Sequence, residues 1–379
     1  MRLAVLRERA DFETRVAATA ETVKKLIGLG LAVAVETGAG MLSAVSDAEY
    51  RAAGAEIFSD AASTLARAGI VFAVQAPGAA VRALMPRGVL LVCISNAHGD
   101  PELVPALAQA GIDCAAMELL PRITRAQSMD VLSSQANLAG YRAVIEGAAA
   151  FERGFAMMMT AAGTVPPARV FVIGAGVAGV QAIATARRLG AIVSATDVRP
   201  AAKEEIKSLG AAFVGVEDDE TAAQKGAYAK EMSEAFRQKQ AELMATTVAK
   251  NDLVICTALV MGRRAPVIVT AAMVAGMRAG GVVVDLASDA GGNCAATQPA
   301  SSIVTPNGVR VLGWRNWPGR IPVAASALYS RNLMTFLTNF WDKDAKAPKL
   351  PEGDEIVKGT MLTRGGAIVH PQFLPAQAA

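Results

Sequence analysis

The chain has 379 residues, enough for two or three domains of ordinary size, each with a core of its own. Hydrophobic residues make up 53% of the chain and charged residues 19%, a composition that excludes an intrinsically disordered protein. The 37 basic and 34 acidic residues are spread along the chain without a basic cluster, so the charge pattern does not favour binding to nucleic acid.

The cysteines and the N-terminus indicate the compartment. Cys93, Cys114, Cys256 and Cys294 are far apart in sequence and form no Cys-x-x-Cys pair, so we expect neither a disulfide framework nor a metal site. Charged residues begin with Arg2, too early for a secretory signal peptide. We therefore expect a soluble chain in the reducing cytoplasm.

Short runs rich in Val, Ile and Leu alternate with helical patterns, which is typical of βαβ units and a parallel sheet. Two helix starts are readable, because Ser46 forms a capping box with Glu49 and Asp100 precedes a proline that suits the first helical turn. Strands are predicted at residues 3–6, 31–35, 70–74, 89–94, 170–173, 191–195, 253–257, 282–286 and 309–312. The sequence thus predicts an α/β fold with two Rossmann-like, doubly wound parallel-sheet domains joined by long helices.

Two long helical patterns, at residues 133–155 and 324–340, flank the second group of strands. We expect the chain to leave a first domain, build a second, and return to the first. The predicted domains are residues 1–132 plus 324–379 and residues 133–323. The cleft between them is the expected place for a ligand. Residues 163–168 are expected to form a loop, and residues 355–369 a hairpin-like stretch that turns at 364–366.

A glycine-rich turn lies between a predicted strand and an apolar helix. Its glycines are Gly174, Gly176 and Gly179, and Asp197 follows after the next strand. Glycines at this spacing let the backbone approach a pyrophosphate, the helix N-terminus supplies free N–H groups, and the acid binds a ribose hydroxyl. The order of these features favours a dinucleotide site over a glycine-rich packing turn. It also accounts for the apolar run 170–186, which is nearly long enough to span a bilayer.

Asp197 favours NAD(H), because a 2′-phosphate would place a second negative charge beside its carboxylate. Arg199 leaves an alternative open, since an arginine can pair with that phosphate or can simply be solvated. We expect NAD(H).

Residues 121–135 are unusually polar for a stretch between two apolar units. If a helix begins at about Gln127, then Gln127, Asp130 and Ser133 share one of its faces. Such a face offers the groups needed to orient a nicotinamide and its ribose, with Arg122 available to clamp Asp130. An exposed helix start is the alternative that the spacing alone leaves open.

The chain has only two histidines. Hydride transfer to or from a carbonyl, alcohol or amine normally needs a proton relay, most often His or Lys. His370 lies in the tail and is expected to be structural or solvated, and His98 is expected to lie on the surface, although it could line a cleft. Direct transfer between two nicotinamide rings needs no relay.

Three segments of the chain are long and specific: PRITRAQSMDVLSSQANLAGYRAV at 121–144, MMMTAAGTVPPAR at 157–169 and LASDAGGN at 286–293. They closely resemble the NAD(H)-binding component, domain I, of proton-translocating nicotinamide nucleotide transhydrogenases in their split bacterial form. The resemblance extends to the tail motif at 366–371. It implies a homodimer of two-lobed α/β subunits whose partners are a small membrane-spanning alpha chain and a beta subunit that binds NADP(H). It further implies a cytoplasmic location, attached peripherally to the inner membrane through those partners.

The resemblance also implies an activity and a set of site residues. Hydride would pass directly from NADH on this chain to NADP⁺ on the partner, coupled to proton movement through the membrane subunits. The nicotinamide-side cluster would consist of Arg122, Gln127, Asp130 and Ser133, with Ile123 and Thr124 beside it. The remaining cofactor contacts would be Gly174, Ala175, Gly176, Val177, Gly179, Asp197, Val198, Arg199, Tyr228, Gln240 and Leu259.

Tyr228 matches the tyrosine of a mobile loop that closes over the nucleotide in this family. The polar, lysine-bearing stretch 221–240 agrees with such a loop, although a plain surface helix is the alternative. Ala227 departs from the family pattern, because glycine commonly precedes this tyrosine, and an alanine could stiffen the hinge.

Two other functions compete with the transhydrogenase. Alanine dehydrogenases share the architecture but place a lysine and a histidine in the pocket, where this chain has Gln75 and Ser95. Gln75 can donate a hydrogen bond but cannot serve as a cation or a proton relay. A non-catalytic NAD(H)-sensing module is the second alternative, since fold alone does not establish catalysis.

Overall fold

A computed structural model of the chain describes residues 1–216, 234–259 and 262–374. The chain divides into two compact units, Met1–Gln135 with Gly319–Ala379, and Ala136–Pro318. Each unit contains one large sheet of mainly parallel strands covered by helices. The predicted α/β class with two Rossmann-like domains is confirmed.

The first unit is built on an eight-stranded sheet. Its strands are β1 Arg2–Val5, β2 Ala32–Glu36, β3 Glu56–Phe58, β4 Ala68–Gln75, β5 Leu90–Ile94, β6 Asp113–Ala116, β18 Met361–Arg364 and β19 Ala367–Ile368. They lie in the order β19-β18-β6-β5-β4-β1-β2-β3. Its helices are α1 Ala20–Gly28, α2 Asp47–Ala52, α3 Ala61–Leu65, α4 Ala79–Arg82, α5 Leu103–Ala110, α11 Pro322–Asn339 and α12 Glu355–Thr360, and a short ribbon pairs β16 Trp341–Asp342 with β17 Ala347–Pro348. The chain reverses its direction across the sheet between β1 and β4, the position at which doubly wound sheets place ligands.

The second unit is built on a seven-stranded sheet. Its strands are β9 Arg169–Ile173, β10 Ile192–Thr196, β11 Ala212–Phe213, β12 Leu253–Cys256, β13 Val282–Asp285, β14 Ser301–Val304 and β15 Arg310–Gly313. They lie in the order β11-β10-β9-β12-β13-β15-β14. The helices are α7 Val177–Arg188, α8 Ala202–Ser208, α9 Glu234–Lys250 and α10 Ala271–Ala275, and α6 Val131–Ala150 leads into the unit. A hairpin of β7 Met158–Thr160 and β8 Gly163–Val165 precedes the sheet, and the direction of winding reverses between β9 and β12.

Burial on both faces explains why the strands are readable as continuous apolar runs. In β4, Ile70 and Phe72 pack into one core and Val71 into the core on the opposite face. In β9, Val172 and Phe171 divide in the same way between the two cores of the second unit. Parallel sheets covered on both faces require this pattern, and each predicted strand is present with its ends shifted by two residues or fewer.

Two predicted helix limits are wrong, and in each case a local hydrogen bond gives the reason. The helix expected at Asp100 begins at Leu103, because the Asp100 carboxylate instead accepts the N–H of Glu102 in a preceding turn. The helix expected at 133–155 ends at Ala150, where Arg153 N–H turns back to the carbonyl of Phe151 at 2.8 Å. The capping box of Ser46 and Glu49 is confirmed.

Two predictions of irregular structure are also corrected. The expected loop at 163–168 begins with β8, which pairs with β7. The expected hairpin at 355–369 begins with the helix α12, because Asp354 caps it through the N–H of Ile356 at 2.8 Å. The turn itself is confirmed, since Gly365 and Gly366 join β18 and β19 with φ angles of 58° and 82°.

All four cysteines are buried and reduced. Within the described ranges, no three His, Cys, Asp or Glu side chains are grouped so that they could hold a metal ion. No described helix combines the length and the apolarity needed to cross a bilayer.

A half-buried acid, Glu8, lies at the reversal point of the first sheet. Glu8 follows β1 and accepts the N–H of Val74 at 2.6 Å at the end of β4. Glu8, Glu13 and Arg15 line a cavity of about 550 Å³. Burial, together with the nearby Glu13 carboxylate, raises the pKa of Glu8 to about 7, whereas the backbone hydrogen bond from Val74 opposes that rise.

This acid makes a pH-dependent contribution to stability. Folded Glu8 keeps its proton up to a pKa of about 7, whereas the unfolded chain releases it near 4.5. The folded state therefore binds more protons between these values, and its stability falls as pH rises through the interval, by about 3 kcal/mol in total. In urea unfolding at pH 5 and pH 8, Glu8→Gln should lose less stability than the wild type. Glu102→Gln, at an exposed position, is the control, and parallel wild-type and Glu8→Gln profiles would contradict the assignment.

Candidate functional site

The glycine-rich turn of the second unit lies at the reversal point of its sheet. The strand β9 ends at Ile173, Gly174 turns the chain with a φ of 97°, and Gly176 precedes the first residue of α7. The free N–H groups at the start of α7 therefore lie at the carboxyl ends of β9 and β12. This is the place at which open α/β sheets bind anionic groups of nucleotides.

The three glycines have different surroundings. A Cβ atom at Gly179 would lie 1.8 Å from the Gly174 carbonyl oxygen, and one at Gly174 would lie 2.6 Å from Oγ1 of Thr257. A Cβ atom at Gly176 would meet no atom within 4 Å. Gly174 and Gly179 are thus required for packing, whereas the smallness of Gly176 leaves open space above the helix N-terminus.

Asp197 lies beside this turn, at the end of β10. Its Oδ2 atom accepts the N–H of Ala175 at 2.7 Å, and its Oδ1 atom accepts the N–H of Arg199 at 2.8 Å. Burial opposes ionisation, but the hydrogen bonds from Arg199 and Ala175 outweigh it and hold the pKa of this carboxyl below its usual value. Asp197 is therefore an anion placed at the rim of the turn.

Arg199 is neither free for a phosphate nor merely solvated. Its guanidinium binds both oxygens of Asp197, through Nε at 3.0 Å and Nη2 at 3.2 Å, and Nη2 also donates to the carbonyl of Ala175. Its side chain remains 55% exposed. Of the neighbouring predicted contacts, Val198 is 88% exposed and Val177 is 44% exposed.

The polar segment of the first unit differs from the predicted single helix. Thr124–Met129 forms a 3₁₀ helix, Asp130 is extended, and α6 starts at the following residue. The expectation that Gln127, Asp130 and Ser133 share one helix face is wrong, because the backbone bends at Asp130. Instead, the Asp130 carboxylate caps α6, accepting the N–H of Ser133 at 2.9 Å and its hydroxyl at 2.5 Å.

The other residues of this segment are placed as follows. Arg122, Thr124 and Gln127 are exposed, and Ile123 is half-buried against the core of the first unit. No ion pair between Arg122 and Asp130 is present, contrary to the expected clamp. In this segment Arg125 pairs instead with the Asp354 carboxylate, at 2.6 Å. Gln127 and Arg122 therefore point polar groups into solvent beside the capped helix start.

The remaining predicted contacts lie in the second unit. Gln240 is half-buried in α9, and Leu259, just after β12, is 55% exposed. Tyr228 and Ala227 lie outside the described residues.

Three polar residues that hold the site were missed by the sequence analysis. Thr257 donates to the Gly174 carbonyl at 3.0 Å. Asn293 binds both the N–H and the carbonyl of Ala258, at 3.0 Å and 2.9 Å, and the buried Asp285 accepts the N–H of Asn293 at 2.8 Å. The segment LASDAGGN therefore fixes the turn after β12 through Asn293. Its Gly-Gly-Asn ending, a few residues after the predicted strand 282–286, was the signal available in the sequence.

Gln75 and Ser95, which stand where alanine dehydrogenases have pocket residues, form hydrogen bonds within the first unit. Gln75 donates to the Glu13 carboxylate at 3.0 Å, and Ser95 donates to Glu118 at 2.5 Å. His370 is buried with its Nε2 atom 3.1 Å from the Gly359 carbonyl oxygen, and burial lowers its pKa. His98 is exposed, as expected.

Comparison with known families gives two matches that together cover most of the chain. The model described as "Alanine dehydrogenase/PNT, N-terminal domain" matches residues 4–139, and the corresponding C-terminal domain matches residues 143–371.

Individual relatives divide into two groups. The chain named as the first part of the NAD(P) transhydrogenase alpha subunit of Rhodospirillum rubrum is 52% identical over 98% of both chains. "NAD(P) transhydrogenase subunit alpha" of Cereibacter sphaeroides is 44% identical over 100% of this chain and 73% of that one. An alanine dehydrogenase of Mycobacterium tuberculosis is only 28% identical, over 96% of this chain and 95% of that one.

Solved structures show the same order of similarity. The crystal structure of a transhydrogenase from Sinorhizobium meliloti superposes with a TM-score of 0.89, at 49% identity, over 97% of this chain and 100% of that one. An L-alanine dehydrogenase superposes with a TM-score of 0.77, at 27% identity, over 98% of each chain. The chain therefore belongs to the alanine dehydrogenase/PNT family and, within it, to the NAD(P) transhydrogenase alpha subunits.

Proposed function

We propose that this chain binds NAD(H) and supports direct hydride transfer from NADH to NADP⁺ held on a partner subunit. The observation that carries the proposal is the turn at Gly174–Gly179, where Gly176 leaves space at a helix N-terminus and ionised Asp197 lies at the rim. The helix N-terminus suits a pyrophosphate, and the Asp197 carboxylate suits a ribose hydroxyl.

The polar cluster of the first unit is assigned to the nicotinamide end. Gln127 presents an exposed amide that can pair with a carboxamide. Ser133 is held by the Asp130 carboxylate, which fixes the direction of its hydroxyl. Arg122 adds a positive charge near these groups. The contribution of this cluster is geometric, because holding two reactants in line removes much of the entropic barrier to reaction.

Three polar groups of the first unit, Gln75, Ser95 and His370, favour transfer without a proton relay through them. Gln75 and Ser95 are bound to carboxylates, and His370 lies buried with its Nε2 atom beside a carbonyl oxygen. A relay in carbonyl or amine chemistry has to exchange its proton with the substrate. Transfer between two nicotinamide rings makes no such demand.

The names of the relatives support a proposal that this chain works with partner subunits. Chains named as an alpha subunit, whether as a separate part or as a longer chain, belong to a multisubunit enzyme. We infer a homodimer that joins a membrane-spanning alpha chain and an NADP(H)-binding beta subunit, whose membrane parts translocate protons. In this proposal the chain is cytoplasmic and attached peripherally to the inner membrane.

Reconstitution tests the proposal. The purified chain is mixed with the NADP(H)-binding domain of a transhydrogenase beta chain, and hydride transfer from NADH to a distinguishable NADP⁺ analogue is followed. Fast transfer that requires both proteins supports the proposed role. No transfer, with NADH binding confirmed and a partner domain active with another alpha chain, would contradict it. A screen of amino-acid substrates would then separate a dehydrogenase from an NAD(H) sensor.

The glycines provide a test of the binding site. Gly176→Ala places a methyl group in open space, so the melting temperature should stay unchanged while NADH affinity falls, by about tenfold or more if one phosphate contact is lost. Gly179→Ala drives a Cβ atom against the Gly174 carbonyl and should lower the melting temperature. Calorimetry and NADH titration measure both effects, with Gly353→Ala as the control in open space. Normal NADH binding by Gly176→Ala would favour a packing turn.

Gln127 provides a test of the nicotinamide end. Gln127→Asn withdraws the amide by one methylene group, which should slow hydride transfer by about 10- to 100-fold through misplacement while leaving NADH affinity nearly unchanged. Stopped-flow transfer in the reconstituted pair and equilibrium titration of NADH measure the two quantities separately. A large loss of affinity with a normal rate for bound NADH would reject the orienting role.

A further inference from the structure

One asparagine of the first unit binds the polar segment on both sides of its bend. Asn332 lies in α11 and is only 8% exposed. Its Nδ2 atom donates to the carbonyl of Ser128 at 2.9 Å, and its Oδ1 atom accepts the hydroxyl of Ser134 at 2.7 Å. A carbonyl can only accept, so the amide nitrogen must face Ser128, and the hydroxyl of Ser134 then donates to the remaining oxygen.

The two contacts lie next to two proposed site residues. Ser128 follows Gln127 in the 3₁₀ helix, and Ser134 follows Ser133 in the first turn of α6. Asp130 separates the two elements, with extended φ and ψ angles of −71° and 96°. A bend at a single extended residue leaves the angle between its flanking helices to be set by contacts from outside the segment.

The neighbouring contacts bind the backbone of the 3₁₀ helix less closely than they bind α6. Gln135 donates to the carbonyl of Ala325 at 3.1 Å and accepts from Arg15 at 2.8 Å, so it anchors the first turn of α6. Ala126 and Met129 pack the 3₁₀ helix into the core, and Arg125 donates to the Asp354 carboxylate at 2.6 Å through a side chain that is 48% exposed. Within the described residues, the long-range hydrogen bond to the backbone of this helix is that from Asn332. Asn332 is the side chain that joins both elements to α11.

We propose that Asn332 is a positioning residue for hydride transfer, which sets where Gln127 lies relative to Ser133. This inference rests on the proposed function. The Asn332 amide touches neither nucleotide nor partner in this role and acts through the backbone of Ser128 and the hydroxyl of Ser134. Because a misplacement of about 1 Å can cost about 100-fold in rate, a small rotation of the 3₁₀ helix is enough to matter.

The test replaces the amide while keeping its approximate volume. In the reconstituted pair, Asn332→Leu should slow transfer by about tenfold or more, while the NADH dissociation constant changes by less than about threefold. The same replacement at Asn339, exposed near the end of α11, is the matched control and should leave both quantities unchanged. Ser134→Ala removes only one of the two contacts and should slow transfer less, and Ser134→Thr, which keeps the hydroxyl, should restore it.

A double-mutant cycle separates positioning from a general loss of stability. If Asn332 acts through Gln127, Gln127→Asn should slow the Asn332→Leu enzyme less than it slows the wild type, because the amide is already misplaced. Multiplicative losses, or an Asn332→Leu enzyme that transfers at the wild-type rate, would overturn the proposal. If Asn332→Leu does not fold, the Ser134 pair decides alone, and equal rates for Ser134→Ala and Ser134→Thr would overturn it.

Hydride transfer by the wild-type chain distinguishes a failure of the positioning role from a failure of the proposed function. Wild-type transfer with unaffected Asn332 and Ser134 variants overturns the positioning role and leaves the proposed function intact. Absence of transfer by the wild-type chain with an active partner domain overturns the proposed function and the positioning role together.

Discussion

The contact between Gly179 and the carbonyl of Gly174 is the constraint on which the proposed nucleotide site depends. With only hydrogen atoms on Gly179, α7 approaches β9 so closely that a Cβ atom there would lie 1.8 Å from that carbonyl oxygen. A second close approach of the same kind lies between α6 and α7. A Cβ atom at Gly140 of α6 would lie 2.0 Å from the Ala178 carbonyl oxygen of α7. Close backbone approaches on both sides fix the start of α7, so its free N–H groups have a defined direction before any ligand arrives.

Asp197 shows how such a preformed site can stay anionic and still receive a ligand. A carboxylate offers about four acceptor positions, and here two backbone N–H groups and two guanidinium nitrogens occupy them. In the proposed site, a ribose hydroxyl that binds Asp197 would therefore displace the Arg199 side chain. Because that side chain is 55% exposed, its ion pair with Asp197 is weak, and breaking the pair costs little free energy. The backbone hydrogen bonds from Ala175 and Arg199 to the carboxylate do not involve that side chain.

Burial decides which parts of this structure were readable in the sequence. The strands β4 and β9 are apolar on both faces, so their positions could be predicted without knowledge of their neighbours. The motif from Gly174 to Asp197 was equally readable, because each residue type there answers a local backbone requirement. Its geometry at Arg199 was not, since the ion pair depends on how the end of β10 lies beside the turn.

The segment before α6 shows the opposite case. A spacing of three residues fits a 3₁₀ helix as well as an α-helix, so polar periodicity alone could not reveal the bend at Asp130. The helix cap could have been predicted from the sequence, because aspartate is among the preferred N-cap residues and Asp130 lies just before the helical pattern. The contacts of Asn332 were not, since they join residues 204 and 198 positions apart. Long-range hydrogen bonds of this kind have no signature in a single sequence.

Glu8 bears most directly on the choice between the two enzymatic functions. With Gln75 and Ser95 bound to carboxylates, an amino-acid dehydrogenase built on this unit would need another group to exchange a proton near neutral pH. Glu8 lies at the reversal point of the sheet, lines the cavity with Glu13 and Arg15, and has a pKa of about 7. Among the described residues that line this cavity, Glu8 is thus the candidate for such a proton exchange. Transfer between two nicotinamide rings leaves Glu8 outside the chemistry, so retention of transfer by a Glu8→Gln chain, together with inactivity of the wild type towards amino acids, would separate the two functions at a single side chain.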